Sequence, residues 1–470
     1  LFFIDMSKLT LSDIQNDKQY LYSGTTQNIN KWLNKRKDID TSMLSEKQQF
    51  AFDRYLDGDN IFITGPGGCG KTKLIKLIVD HAKLNKKRVK VCAMTGCAAV
   101  LLECGAKTFH SWAGFGLANE DEERIIEKIM NSPMKKKNWY TTDILIIDEV
   151  SMMSNKLFNI FYTVSKKVRK SIKVFGGIQV IFSGDFYQLP PIDDDFCFTS
   201  DYWHGCFHEQ IILDKIFRQD DPIWVKILNQ IRQGYMTKKS FNRIHEQLDR
   251  KLPLDYTPTR IMPRRFSVDQ INTRELKKID KPIVKFKIKG IDIDSLSDKD
   301  KKMAGSFSEQ QKRVEYDNLK SNMVCLEELE LKIGAQVLCI CNLDMDNENQ
   351  ICNGSQGIVI DFKEDGPLVK FNNGEVRTIE YHSWKSETIP DIGIQQIPLI
   401  LSWAITIHRA QGITLEMAEL DIGDNIFEKG QTYVALSRIK SIDGVYLTHF
   451  NPSKIQIDTR VKDFYESIKN

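Results

Sequence analysis

Apolar and β-branched residues gather in four short runs in the first half of the chain, at 60–64, 88–94, 143–150 and 178–184. The runs are nearly continuous, and helix-like segments separate one from the next. Strands covered on both faces show this pattern, because a parallel sheet is sandwiched by its own crossover helices. An α/β lobe built on a parallel sheet is therefore predicted over 43–212. Residues 1–42 are polar, rich in Asn, Asp, Lys and Gln, and show no core-forming period. They are expected to form a loosely attached lead-in.

Beyond the fourth run the pattern changes. Residues 213–280 read as mostly helical, and 281–330 as a Lys, Asp and Ser-rich surface excursion. Short strands then follow, punctuated by Asn353-Gly354, Asp365-Gly366 and Asn373-Gly374, pairs that favour tight hairpins. A small all-β insert is predicted at 331–390. After Pro398 apolar strand-like runs return in LILSWAITI and GVYLTHF, with a helical end from Lys454. A second α/β lobe would thus be split between 213–330 and 391–470. No internal repeat or low-complexity tract is present.

Length and composition narrow the possibilities. At 470 residues the chain is long enough for two to four domains of roughly 100–200 residues each. It is 41% apolar and 27% charged with a net charge of only +3, so any nucleic acid must be held by local patches and not by bulk charge. The ten cysteines show no paired CxxC spacing, which suits reduced thiols in an intracellular compartment. Cys197, His204, Cys206 and His208 lie close together in sequence, but their spacing fits no regular zinc pattern, and a structural zinc is not expected. The longest apolar run, 397–407, is interrupted by Pro398 and Ser402 and is too short to span a bilayer. The opening LFFID lacks the basic start and small-residue cleavage site of a secretion signal. A soluble intracellular protein is the expectation.

The chemistry gathers at the ends of the predicted strands. Residues 65–72, GPGGCGKT, match GxxxxGK[ST] between the strand NIFIT and the helix TKLIKLIVDHAK. Gly65, Gly67, Gly68 and Gly70, with Cys69 between them, allow backbone N–H groups to turn around phosphate oxygens. Lys71 reaches the terminal phosphates, and Thr72 offers a hydroxyl to Mg²⁺. ATP and Mg²⁺ are the expected ligands. The strand DILIIDE ends in two carboxylates: Asp148 suits the metal, and Glu149 suits deprotonation of an attacking water. An isolated acidic pair capping a strand is usually structural; beside a phosphate loop in the same sheet it reads as catalytic. Gln48 stands in Ser45-Glu46-Lys47-Gln48, which is both a helix capping box and the place for an adenine-reading glutamine. Gln188, in SGDFYQLPP after the fourth strand, is placed to sense a γ-phosphate.

Taken in order, LSEKQ, GPGGCGKT, TGCAA with TFHSWAGFG, IIDEVSM, FGGIQVIFSGDFYQLPP, IFRQ, ITIHRAQGITL and GQTYVALSR resemble the 5′-to-3′ superfamily 1B DNA helicases of the petite integration frequency (Pif) family. The resemblance runs from about Leu44 to Phe450. It implies two RecA-like lobes with ATP in the cleft between them and an SH3-like β insert in the second lobe. A small strand-separating wedge would lie at about 114–134. It also implies that Arg218 and Arg438, which as bare residues would read as solvated surface charges, project from the second lobe onto the phosphates. DNA contacts are implied at Thr95, Gly96, Phe109, His110 and Ser111 in the first lobe and at His408, Gln411 and Thr414 in the second. Phe109, Trp112 and Phe115 suit either base stacking or a core. The expected partners are single-stranded DNA and forked or folded DNA, with no membrane and with the protein acting as a monomer. Two alternatives stand beside this reading: a RecD-like or relaxase-linked motor, which the FGGIQ segment disfavours, and a nucleotide-switched DNA-binding module without unwinding.

Overall fold

The computed structural model describes residues 39–469 apart from 103, 116–121, 253–257, 292–295, 322–324, 342, 344–350, 352–353 and 387–388. Most of the predicted lead-in and part of the predicted wedge lie outside the described residues.

The first lobe is a six-stranded sheet in the order β3-β2-β4-β5-β1-β6, parallel throughout. Its strands are β1 (Ile61–Thr64), β2 (Val89–Ala93), β3 (Lys107–Thr108), β4 (Ile144–Asp148), β5 (Gln179–Gly184) and β6 (Glu209–Ile212). Side chains alternate between two cores. Ile61, Ile63, Ile144, Ile146 and Ile181 face α1 (Glu46–Asp57) and α2 (Lys71–Leu84). Phe62, Leu145, Ile147, Val180 and Phe182 face an aromatic core with Phe158 and Phe161 of α3 (Asn155–Arg169). The parallel register pairs Ala93 with Asp148 and Thr64 with Gly184, so the loops after β1, β4 and β5 emerge side by side.

The FGG of the FGGIQ segment has a structural role here. Phe175, Gly176 and Gly177 all adopt positive φ just before β5. A Cβ on Gly176 would lie 2.4 Å from the Ser165 carbonyl, and Arg169 donates to the Gly176 carbonyl at 2.7 Å and to that of Trp139 at 2.7 Å. Cys197 and Cys206 are buried in the aromatic core, and no group of three or more His, Cys, Asp or Glu that could hold a metal ion occurs among the described residues.

After the first lobe the chain forms α4 (Pro222–Arg232) and then β7 (Thr259–Met262), a central strand of the second sheet. The expectation of mainly helical structure over 213–280 missed it. The strand is only TRIM, and Arg260 disguises it by pairing at 2.8 Å with Glu419 on the neighbouring strand. After α5 (Arg265–Lys278) the stretch expected to be a plain surface excursion instead carries β8 (Val284–Lys287), β9 (Lys289–Gly290), α6 (Glu309–Ser321) and β10 (Glu328–Leu331). β8 pairs with β10.

A five-stranded antiparallel sheet follows, in the order β14-β13-β12-β11-β17. It comprises β11 (Gln336–Cys339), β12 (Gln356–Lys363), β13 (Gly366–Phe371), β14 (Val376–Thr378) and, after β15 (His382–Lys385) and β16 (Gly393–Gln396), β17 (Leu399–Leu401). Asp365-Gly366 and Asn373-Gly374 make the expected hairpin turns, while Asn353 lies outside the described residues. The run LILSWAITI is two strands, not one: β17 closes the insert and β18 (Ala404–Thr406) joins the second lobe. The antiparallel strands therefore extend to Leu401, past the boundary at 390 expected from sequence. The second sheet is β18-β7-β19-β20, all parallel, with β19 (Ala418–Ile422) and β20 (Val445–Phe450). α7 (Gln431–Leu436) packs on it.

The last helix, α8 (Thr459–Ser467), returns from the second lobe to the first. Val461, Phe464 and Tyr465 are buried in the aromatic core of the first. Between the lobes, Arg232 of α4 makes a two-pronged ion pair with Asp185, at 2.9 and 2.8 Å, and both side chains are buried.

Gly176→Ala should lower the unfolding free energy by about 1–3 kcal/mol, because the new methyl meets a backbone carbonyl in a left-handed conformation. Urea unfolding measures this. A variant as stable as the parent would show that the turn can relax.

Candidate active site

The phosphate loop is shaped by its neighbours as much as by its own glycines. Gly68 and Gly70 sit at φ 83° and 84°. A Cβ on Gly68 would lie 2.5 Å from the Arg218 Cβ, and one on Gly70 would lie 2.5 Å from the Gln48 Nε2. Lys71, the first residue of α2, donates to the Gly65 carbonyl at 2.7 Å and to that of Pro66 at 3.2 Å. Gln48 completes the capping box with Ser45 and also donates to the carbonyls of Cys69 and Gly70, at 3.3 and 3.4 Å. Its amide thus braces the loop from the start of α1.

Asp148 and Glu149 follow the parallel register to the same edge. Burial raises the Asp148 carboxyl, and burial together with the neighbouring Asp148 pushes Glu149 up to about 7. Glu149 is one of the few non-glycine residues with positive φ, at 56°, a conformation that costs energy and recurs at functional sites. Gln411 donates to its Oε2 at 2.8 Å. Gln411 was expected to contact DNA. Its side chain is instead buried against the carboxylate, so that expectation is corrected.

The two arginines come from different places. Arg438 follows α7 in the second lobe, where its Nε donates to the Val434 carbonyl at 2.9 Å and its Nη2 to the Ser437 hydroxyl at 2.8 Å. Arg218 lies in the connector between β6 and α4, not on the body of the second lobe as expected. Its Nη1 donates to the Ser437 carbonyl at 3.2 Å. Both guanidiniums reach the phosphate loop: a Cβ on Gly67 would lie 3.4 Å from the Arg438 Nη2 and 3.5 Å from the Arg218 Nη1. Burial, and then repulsion from Arg218, push Arg438 down to about 9. Gln188 is buried with its Oε1 lacking a hydrogen-bond partner.

These groups line one cleft of about 570 Å³, within the usual range for small-ligand sites. Thr72, Phe217, Gly412, Thr414 and Lys440 also line it, and the Tyr433 hydroxyl accepts from the Gly67 N–H at 2.9 Å. Phe217 and Tyr433 went unremarked in the sequence, although each stands inside or beside a quoted motif. Crowded cations around a glycine loop at a helix N-terminus fit a polyanion, which would relieve their repulsion. The Thr72 hydroxyl and the Asp148 carboxylate on the same wall fit a hard divalent cation held beside it.

The positions implied for DNA are less uniform. Phe109 is fully buried, stacked on Trp112 and edge-on to Phe115 and Phe161, so it is a core residue and its expected DNA contact is corrected. Trp112 and Phe115 are core as well. The Thr95 hydroxyl accepts from the Ala98 N–H at 3.2 Å at the start of the helix that begins with Gly96. His110 and Ser111 are partly exposed on the short helix Phe109–Ala113, and burial lowers the His110 imidazole. His408 is exposed and Thr414 partly so.

Two RecA-like parallel sheets, a phosphate loop with paired acids on one, an arginine from the other and an antiparallel insert define a P-loop fold of the helicase type. Residues 43–239 match the PIF1-like helicase family, and residues 315–362 match the 2B domain of the DNA helicase Pif1. The ATP-dependent DNA helicase PIF1 of Danio rerio is 32% identical over 437 residues, which is 91% of this chain and 64% of that protein. The crystal structure of the Pif1 helicase from Candida albicans is similar at a TM-score of 0.71 and 33% identity, covering 91% of this chain and 99% of that one. The structure of Bacteroides Pif1 in complex with ADP-AlF3 and ssDNA is similar at a TM-score of 0.61 and 28% identity, covering 91% and 97%. The chain belongs to the PIF1-like helicase family, and it spans about three fifths of the length of the vertebrate and fungal relatives it matches.

Glu149→Gln should retain ATP binding and slow hydrolysis roughly 100-fold or more, as loss of a general base does. The same change should alter the pH dependence of stability. A carboxyl raised from the ordinary 4.5 to about 7 makes the folded state hold a proton that the unfolded chain has released, so its contribution falls as pH rises through that window. The variant lacks this loss and should melt above the parent at pH 8 while matching it near pH 5. Calorimetry at the two pH values checks the sign, and a variant melting below the parent at pH 8 would count against it.

Proposed function

We propose that this protein is an ATP-driven motor that moves 5′-to-3′ along single-stranded DNA and opens duplex, RNA–DNA hybrid or folded DNA ahead of it. The observation that carries this reading is the composition of the cleft, whose phosphate loop and acids belong to one lobe while Arg438 and Gln411 belong to the other. Hydrolysis in such a cleft depends on how the lobes sit, and lobe position is what a translocating motor must change.

Each side chain has a part. Lys71 and the loop N–H groups hold the phosphates, with Gln48, Met43 and Phe217 at the base-binding end. Glu149 takes the proton of the attacking water, Gln188 orients at the γ-phosphate, and Arg218 and Arg438 stabilise charge that grows in the transition state. Thr72 and Asp148 would hold Mg²⁺, which would neutralise charge on the phosphate oxygens. Thr95, Gly96, His110 and Ser111 on one lobe and His408 and Thr414 on the other contact the strand, chiefly along its backbone. The strand-separating wedge belongs to the region around 114–134, and the protein acts as a monomer inside the cell. No helix among the described residues is long and apolar enough to cross a membrane.

Turnover of ATP should be low alone and rise on the order of tenfold or more with single-stranded DNA, since a strand lying across both lobes favours the closed cleft. Arg438→Ala should lose the stimulated rate while still binding DNA, because a transition-state contact need not contribute to the ground state. Strand displacement on forks with a 5′ or a 3′ tail tests direction. High turnover that DNA leaves unchanged would instead favour a nucleotide-switched DNA-binding module.

A further inference from the structure

The chain crosses between the lobes twice, once in the connector 213–221 and again at 455–458, ahead of α8. The second crossing delivers one hydroxyl to a buried point beside the phosphate loop. The Tyr465 hydroxyl lies 2.5 Å from the Thr64 hydroxyl, accepts from the Phe186 N–H at 3.2 Å and donates to Asp185 Oδ1 at 3.2 Å. With Thr64 donating to it, this phenol has one donated and two accepted bonds and no capacity left over. Thr64 immediately precedes Gly65, which opens the phosphate loop. Asp185 and Phe186 open the turn that ends in Gln188, and Asp185 is the carboxylate gripped by Arg232 from the second lobe. Gly430 of the second lobe presses on the same turn, where a Cβ would lie 2.5 Å from the Gln188 carbonyl oxygen.

We propose that Tyr465 is a positioning residue for ATP turnover, its hydroxyl fixing the start of the phosphate loop and the Gln188 turn against each other and against the Arg232 side of the cleft. The proposal rests on the ATPase reading above. Tyr465 touches no reacting atom; it acts through Thr64 and Asp185. Its ring is held independently of its hydroxyl, stacked on Tyr187 at 4.7 Å and 12° and lying 5.2 Å from the Arg232 guanidinium. Tyr465→Phe therefore removes the three hydrogen bonds and keeps the packing.

The test is steady-state ATP hydrolysis with saturating single-stranded DNA, at a temperature well below each variant's melting point and normalised to nucleotide-binding sites. Tyr465→Phe should lower kcat about 5- to 20-fold with the KM for ATP within about twofold of the parent. Thr64→Val, which removes only the partner hydroxyl, should lower kcat in the same direction. The double variant should be no worse than the poorer single one, because both delete the same bond. A purely structural tyrosine would lower the melting temperature and leave kcat per site unchanged. If both singles keep kcat within twofold, or if the loss appears in KM alone, the proposal is overturned. If Tyr465→Phe does not fold, Thr64→Val decides by the same criterion. A parent protein without DNA-stimulated turnover would fail the motor reading, a result distinct from a stimulated parent whose variants match it.

Discussion

The buried ion pair between Asp185 and Arg232 joins the two lobes at the floor of the nucleotide cleft. Burial alone would raise the Asp185 carboxyl, and the guanidinium more than offsets this, holding it below the ordinary carboxylate range. Breaking such a pair by removing one partner typically costs about 3–5 kcal/mol, since the other charge is left buried and alone. The pair therefore opposes wide separation of the lobes at this point. Tyr187 and Tyr465 lie beside the guanidinium, 4.5 and 5.2 Å from its centre, and close the site from water. Motion of one lobe against the other is thereby directed to the open end of the cleft, where Arg438 faces the phosphate loop.

That open end is electrostatically unfinished. Lys71, Arg218 and Arg438 converge there, and burial and the neighbouring Asp148 push the Glu149 carboxyl up to about 7. The cations are held to carbonyls and a hydroxyl of the protein itself, and those bonds offset only part of their mutual repulsion. A triphosphate would compensate all three at once, with a metal on Asp148 favouring the ionised form of the acids. Binding of a polyanion and ionisation of Glu149 are thus electrostatically coupled.

The first lobe was largely legible because its strands are buried on both faces and so print continuous apolar runs, each ending in a motif. The ends of β1, β4 and β5 were placed to within a residue or two for this reason. β7 was hidden because a four-residue strand with a charged arginine inside it carries almost no hydrophobic signal. The strand-like run LILSWAITI spans two sheets, because periodicity reports burial and not which sheet does the burying. Gln411 and Phe109 were assigned from motif membership, and motifs say which loop a residue occupies without saying which way its side chain turns. The destination of α8 was not readable either. Its apolar face predicts packing, but only the tertiary fold shows that the partner is the first lobe.

The insert is anchored beside the segment of the second lobe that carries His408, Gln411 and Thr414. It leaves after α5 and returns at β18, an edge strand that pairs directly with β7, so its two ends join the second sheet at neighbouring strands. Gln336 of β11 and Gln356 of β12 donate to the Thr259 hydroxyl at the start of β7. Its turn at Gly354 lies against the motif that follows β18, where a Cβ would meet the Ile413 side chain at 2.6 Å. On the far side, α6 pairs Glu315 with Lys107 of β3 at 3.3 Å, just ahead of His110. The insert and α6 thus touch the segments carrying Lys107 and Ile413, one on each lobe. Because Gln411, two residues before Ile413, shares one hydrogen bond with Glu149, a displacement of even 1 Å in that segment would carry the bond beyond hydrogen-bonding distance. A shift of this segment would then act directly on the Glu149 carboxylate.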